Sequence, residues 1–163
     1  MTKKKNIVVA AVVLLITFAV WNVLWILNYN QYKVFRDKTN MEIICGEVFY
    51  TKHSNGYRFN VFMPSYLRFN GNLSANKTLP DHEMVDIVMI VWLNLFHEDT
   101  YGVMVNDSDG IQHQIYMDSQ GNPVFEDEED WNYIDEINPI IEANRELIDE
   151  TYEAWDTVFG IRD

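Results

Sequence analysis

The chain has 163 residues, with 12 basic against 25 acidic side chains, a net charge of −13 and one cysteine. The charge is segregated, net +7 over residues 1–80 and net −20 over residues 81–163. So negative a body repels phosphate backbones, which excludes nucleic acid as a partner; a lone cysteine excludes an internal disulfide, so the fold rests on packing alone.

The first element is Ile7 to Leu27, twenty-one residues without a charge after Lys3-Lys4-Lys5. As a helix it covers roughly 31 Å, the thickness of a bilayer's hydrocarbon core. A cleaved secretory signal would show a small-x-small site after the apolar run. Here the run leads instead into Trp21, Asn22, Trp25, Asn28 and Tyr29. The expectation is a retained single span, with the membrane as partner through residues 7–27. The Lys-rich head places the N-terminus in the cytoplasm, and Trp21, Trp25, Tyr29 and Tyr32 suit an aromatic belt at the far interface. The chain then divides into a cytoplasmic head (1–6), the span (7–27), a stalk (28–40) and an extracytoplasmic domain (41–163).

Tyr29, Tyr32 and Phe35 recur at helical spacing, so the span is expected to continue as a short amphipathic stalk ending near Asn40. Glu47–His53 and Tyr57–Met63 flank Asn55-Gly56, a strong hairpin signal, because a type I′ turn needs positive φ at both central residues. The implied register sets Tyr50 against Val61, Lys52 against Phe59, Val48 against Met63 and Phe49 against Phe62. Tyr66–Leu73 reads as a third short strand and 71–80 as a loop. Met84–Phe96 is rich in Val85, Ile87, Val88, Ile90 and Val91, which favours a buried strand, although thirteen residues also fit a core helix. Tyr101–Val105, Ile111–Met117 and Pro123–Phe125, joined at Asn106–Gly110 and Asp118–Asn122, form a meander. Over these 25 residues the chain resembles the hairpin of PepSY-type envelope domains in generic turn chemistry, and the resemblance implies no site residue.

After the acidic run Glu126–Asp130 the pattern becomes helical. Asn138-Pro139 reads as a cap with proline at the first helical position, and Gly160 as the stop. Ile141, Ile148 and Trp155 recur every seven residues, with Leu147, Tyr152, Val158 and Phe159 beside them. The expected fold is α+β: a transmembrane helix followed by a β-rich antiparallel meander closed by a C-terminal amphipathic helix.

Chemistry-bearing constellations are sparse. His53, His82, His97 and His113 lack metal-ligand spacing, and His97-Glu98 is not followed by a second histidine at zincin distance. Cys45 has no local partner as a nucleophile. Neither acidic turn fits an EF-hand, since a sixth-position Gly110 or Gly121 leaves Val105 or Tyr116 first. No cofactor and no metal set is expected. The function expected is therefore a membrane-anchored, acidic domain that binds a protein partner of the cell envelope without catalysis. A membrane-anchored enzyme and a cation-binding or sensing module are the alternatives. The helix stripe Ile141, Ile148, Tyr152, Trp155 and Phe159 is the candidate partner-binding surface, unless it covers the domain's own sheet.

Overall fold

A computed structural model of the chain describes residues 2–44, 47–78, 85–125 and 134–160. The apolar run opens a single 35-residue helix, α1 (Thr2–Arg36). Seven strands follow: β1 (Asn40–Ile44), β2 (Glu47–Ser54), β3 (Tyr57–Phe62), β4 (Asn72–Thr78), β5 (Val85–Trp92), β6 (Thr100–Asn106) and β7 (Gln112–Met117). They form one sheet in chain order, every pair antiparallel. Two helices, α2 (Ile134–Ala143) and α3 (Arg145–Phe159), close the chain. The architecture is α+β.

The β2–β3 hairpin has the register its turn dictates, with Tyr50 opposite Val61 and Lys52 opposite Phe59. Asn55 and Gly56 supply the two positive φ values, 51° and 80°. Residues 85–92 are strand, not core helix, because five β-branched side chains fit a pleated surface better than a helix that crowds them.

Three boundaries differ from the sequence expectation. Asn40–Ile44 is a strand, paired with β2 from Asn40↔Thr51 to Ile44↔Glu47. The third predicted strand lies later than its apolar residues suggest: Tyr66–Gly71 is loop, and the polar segment Asn72–Thr78 is β4. Leu73 and Ala75 face the core while Ser74 faces away, where it accepts from Asn60 of β3, so the alternation is masked by polar side chains. The C-terminal helical region begins at Ile134, with Pro139 inside α2. The proline is accommodated because the carbonyl it forfeits, four residues back at Asp135, lies in the first turn. The break falls instead at Asn144, between α2 and α3.

The two faces of the sheet differ. On the inner face Phe59, Leu73, Ala75, Ile87, Met89, Val91, Val103 and Val105 are fully buried. α3 lies across them, with Trp155 and Phe159 against Phe59 at ring distances of 6.3 and 5.7 Å and Tyr152 stacked on Tyr101 at 6.3 Å. Each such side chain removed from water contributes about 1.5–3 kcal/mol, so this layer dominates stability.

α1 joins the same core. Every residue from Asn6 to Val20 is exposed, whereas Asn22, Leu24, Trp25, Asn28, Tyr29, Gln31, Tyr32, Phe35 and Arg36 form a stripe of reduced exposure at helical spacing. Tyr32 is the hub. Only 1% exposed, its hydroxyl donates to the Gly71 carbonyl at 2.9 Å and accepts from the Leu93 amide at 3.1 Å. Asn28 donates to the Phe69 carbonyl and Gln31 to that of Asn94. Phe35 packs edge-on to Phe159. A Cβ at Gly71 would come within 2.7 Å of the Phe62 carbonyl and 2.8 Å of the Tyr32 ring, so glycine is what lets the loop approach the helix this closely. Residues 28–36 are thus built into the folded unit.

Candidate functional site

The helix stripe singled out in the sequence lies in the domain's own core. Ile141, Ile148, Tyr152, Trp155 and Phe159 are between 0 and 3% exposed. Their packing on β3 to β6 follows from a sheet face that is predominantly apolar and must be covered. The helix therefore presents its acidic side to solvent.

The two acidic turns share one construction. In Asp107–Gly110, Asp107 Oδ1 accepts from the amides of Asp109 and Ile111 at 2.9 and 2.8 Å. In Asp118–Gly121, Asp118 Oδ1 accepts from Gln120 and Asn122 at 2.9 and 2.8 Å. Gly110 and Gly121 take the positive φ each turn requires. The second oxygen is also engaged, by His113 Nε2 at 2.9 Å for Asp107 and by Asn122 Nδ2 at 3.0 Å for Asp118. The His113 bond, joined by the Ile111 amide, holds the Asp107 carboxyl below the usual range. At Asp118 partial burial pulls upward, but the Asn122 side chain and the turn amides outweigh it, and the net displacement is downward. These carboxylates cap their own turns.

The histidines are dispersed. His113 belongs to the Asp107 turn, His53 approaches Glu42 at 3.8 Å on the exposed β1–β2 edge, and His97 lies in the loop after β5. Cys45, His82 and the run Glu126–Asp130 lie outside the described residues. Among the described residues, no three His, Cys, Asp or Glu side chains gather as a metal site. A cavity of about 640 Å³ opens where β6 begins and β7 ends, lined by Glu98, Asp99, Tyr101, Tyr116 and Asp118. Of its acids, Asp99 accepts from the Asn94 amide and Asp118 is tied into its turn.

The outer sheet face has a different chemistry. Thr51, Asn60 and Ser74 sit side by side on three strands, 0, 5 and 6% exposed, linked from Thr51 Oγ1 to Asn60 Oδ1 at 3.3 Å and from Asn60 Nδ2 to Ser74 Oγ at 3.2 Å. Beside this polar row lie two apolar groups. Phe49 and Phe62 meet edge to face at 5.9 Å. On β5 and β6, Val88, Ile90, Trp92 and Met104 are half-buried, with Trp92 lying over Gly102 and 6.5 Å from Tyr116. Among the described residues, every ring contact between a C-terminal helix and the sheet is made on the inner face. Sequence reasoning found Phe49 and Phe62 through the hairpin register. It missed the polar row, because Ser74 was read as loop, and it missed the Tyr32 seam.

No protein-family model, curated protein or solved structure matches the chain. The functional reading therefore rests on the residues and their geometry. α1 is long and apolar enough to cross a membrane, with the qualifying stretch at Asn6–Arg36.

Proposed function

We propose that the chain is a single-pass membrane protein, N-terminus in the cytoplasm and body outside, whose sheet domain binds a protein partner of the cell envelope and catalyses no reaction. The observation that carries this reading is the contrast between the sheet's two faces: one is sealed by the chain's own helices, the other offers half-buried apolar side chains beside a hydrogen-bonded polar row. Mixed apolar and satisfied polar character is the composition of surfaces that associate while remaining soluble alone. The charge-free Ile7–Leu27 run and the preceding lysines support the anchor and its direction.

Topology is tested by adding protease to intact cells bearing a tag at either end. Loss of the C-terminal tag and survival of the N-terminal one is the expected result; the reverse pattern refutes the orientation. Partner binding is tested with a photo-crosslinking residue at Ile90 or Met104, and a control at Glu153 on the exposed side of α3. A discrete adduct from 90 and 104 but not from 153 is expected. Equal behaviour at all three positions removes the outer face as the binding surface.

A further inference from the structure

The loops that grip α1 reach further down the helix than a domain standing clear of a bilayer allows. Tyr66 donates a hydrogen bond to Asn22 at 3.1 Å, Phe69 meets Trp21 edge-on at 4.7 Å and Tyr66 meets Trp25 at 5.4 Å. Contact with the domain thus begins at Trp21, inside the apolar run. The part of that run that stands free, Ile7–Val20, has 14 residues and rises about 21 Å. A hydrocarbon core is about 30 Å thick. The missing 9 Å or so corresponds to about six residues, Trp21 to Ile26, the stretch against which residues 66–69 are packed.

The side chains at that level fit the environment. Leu67, next to Tyr66 at the loop tip, is 82% exposed, and Phe96, 74% exposed, lines a cavity of about 410 Å³ with Asn28, Tyr32 and Phe69. Asn28 immediately follows the apolar run, which puts Phe96 at its upper edge. The same end of the sheet carries Ile43, Val48 and Phe62, at 68, 54 and 40% exposure. That it is the same end follows from the pairing Ile43↔Val48 and from Val61↔Leu73 and Leu73↔Val91 beside the two loops. The tips carry no basic excess, with Arg68 beside Leu67 and Glu98 and Asp99 close to Phe96.

We infer that the rim of the domain around Leu67 and Phe96 is itself seated in the bilayer, embedded in the headgroup and upper acyl region of a zwitterionic phospholipid leaflet. The inference rests on the reading of α1 as a membrane span. Trp21, Trp25 and Tyr66 then form one interfacial belt drawn from both the helix and the domain. With no basic excess at the rim, insertion is driven by apolar burial and needs no anionic lipid.

The test uses the full chain carrying Cys45→Ser and one new cysteine, at Leu67, Phe96, Leu14 or Ile111, labelled with an environment-sensitive dye and reconstituted in phosphatidylcholine vesicles. Ile111 is a control of matching chemistry, 59% exposed at the opposite end of the sheet. Lipids brominated high or low on the acyl chain report depth. Labels at 67 and 96 are expected to be quenched more by the shallow bromines than by the deep ones, label 14 by the deep ones, and label 111 by neither. If 14 is quenched while 67 and 96 behave like 111, the rim is in water and the inference falls, leaving the span intact. If 14 is not quenched either, the anchoring reading falls and takes the inference with it. Should the Cys45→Ser chain not fold, benzoylphenylalanine at 67 and 96 in the native chain answers the same question. Crosslinks to phosphatidylcholine support the seat, and their absence at both positions, with crosslinks from position 14, overturns it.

Discussion

The inner face of the sheet and the polar row of its outer face bury side chains by opposite means. On the inner face Phe59, Leu73, Ile87 and Met89 are apolar and are removed from water by α1 and α3. On the outer face Thr51, Asn60 and Ser74 are just as inaccessible, although they are polar. Neighbouring strands shield them from the sides, and each answers the hydrogen-bonding needs of the next. Burial alone therefore does not mark where a chain's core lies. What separates the faces is whether dispersion or hydrogen bonding compensates for lost water.

Substitutions turn that contrast into numbers. The largest effect is expected at Trp155, 2% exposed between Phe59 and Phe159. Trp155→Ala should cost about 3–5 kcal/mol, read as a fall in the urea midpoint at constant slope. Trp155→Phe should retain most of this, because the indole Nε1 has no hydrogen-bond partner among the described residues. An inner face tolerant of Trp155→Ala would abolish the distinction.

Next comes Asn60→Ala, which strands the Thr51 and Ser74 hydroxyls and should cost about 1–3 kcal/mol. Replacing all three polar residues with Val should recover part of that loss, since apolar groups of similar shape leave nothing unsatisfied. If the triple variant is worse than Asn60→Ala, the row is not held by mutual hydrogen bonding.

A smaller effect is expected at Tyr32, a buried polar anchor on the helix-covered side. Tyr32→Phe removes two hydrogen bonds and should cost about 1–2 kcal/mol. Burial pushes the Tyr32 phenol up to about 12, opposed by the Leu93 amide bond. A phenol with a raised folded pKa contributes fully below its ordinary value near 10 and loses that contribution as pH climbs toward 12. The native chain should therefore lose stability more steeply than Tyr32→Phe between about pH 10 and 12. Parallel curves would show that Tyr32 ionises freely.

The smallest expected effect is global. Net −20 over residues 81–163 repels itself, and Lys77–Glu150 at 2.9 Å is an exposed ion pair contributing at most about 1 kcal/mol. Thermal stability should rise modestly with NaCl, and calcium should add little at matched ionic strength, since Asp107 and Asp118 are engaged in their own turns. A saturable shift at micromolar calcium would establish a specific site.

Much of this arrangement is legible in the residues, for local reasons. Asn55-Gly56 specifies its turn and so the register of β2 and β3, the turns at Asn106–Gly110 and Asp118–Asn122 delimit β6 and β7, and the β-branched residues of β5 favour a strand while leaving a core helix open. β4 is not legible, because Asn72, Ser74 and Asn76 look like loop chemistry until the partner strand carrying Asn60 is known. Pro139 misleads, since a proline is as acceptable near a helix start as at it. The stripe through Trp155 is visible as apolar, but periodicity does not say which surface it meets. The seam at Asn28, Gln31 and Tyr32 is invisible for the same reason, its partners lying 39 to 63 residues away.

The unbroken run of α1 from Thr2 to Arg36 has a mechanical consequence. A domain on a flexible tether searches a volume that grows with linker length. With Tyr32 locked against Gly71 and Leu93, this one has no slack: helix and sheet tilt and spin as one rod. On the proposed topology, its outer face sweeps a ring at constant height above the bilayer. On the proposed function, such a domain would select partners by altitude as well as by chemistry.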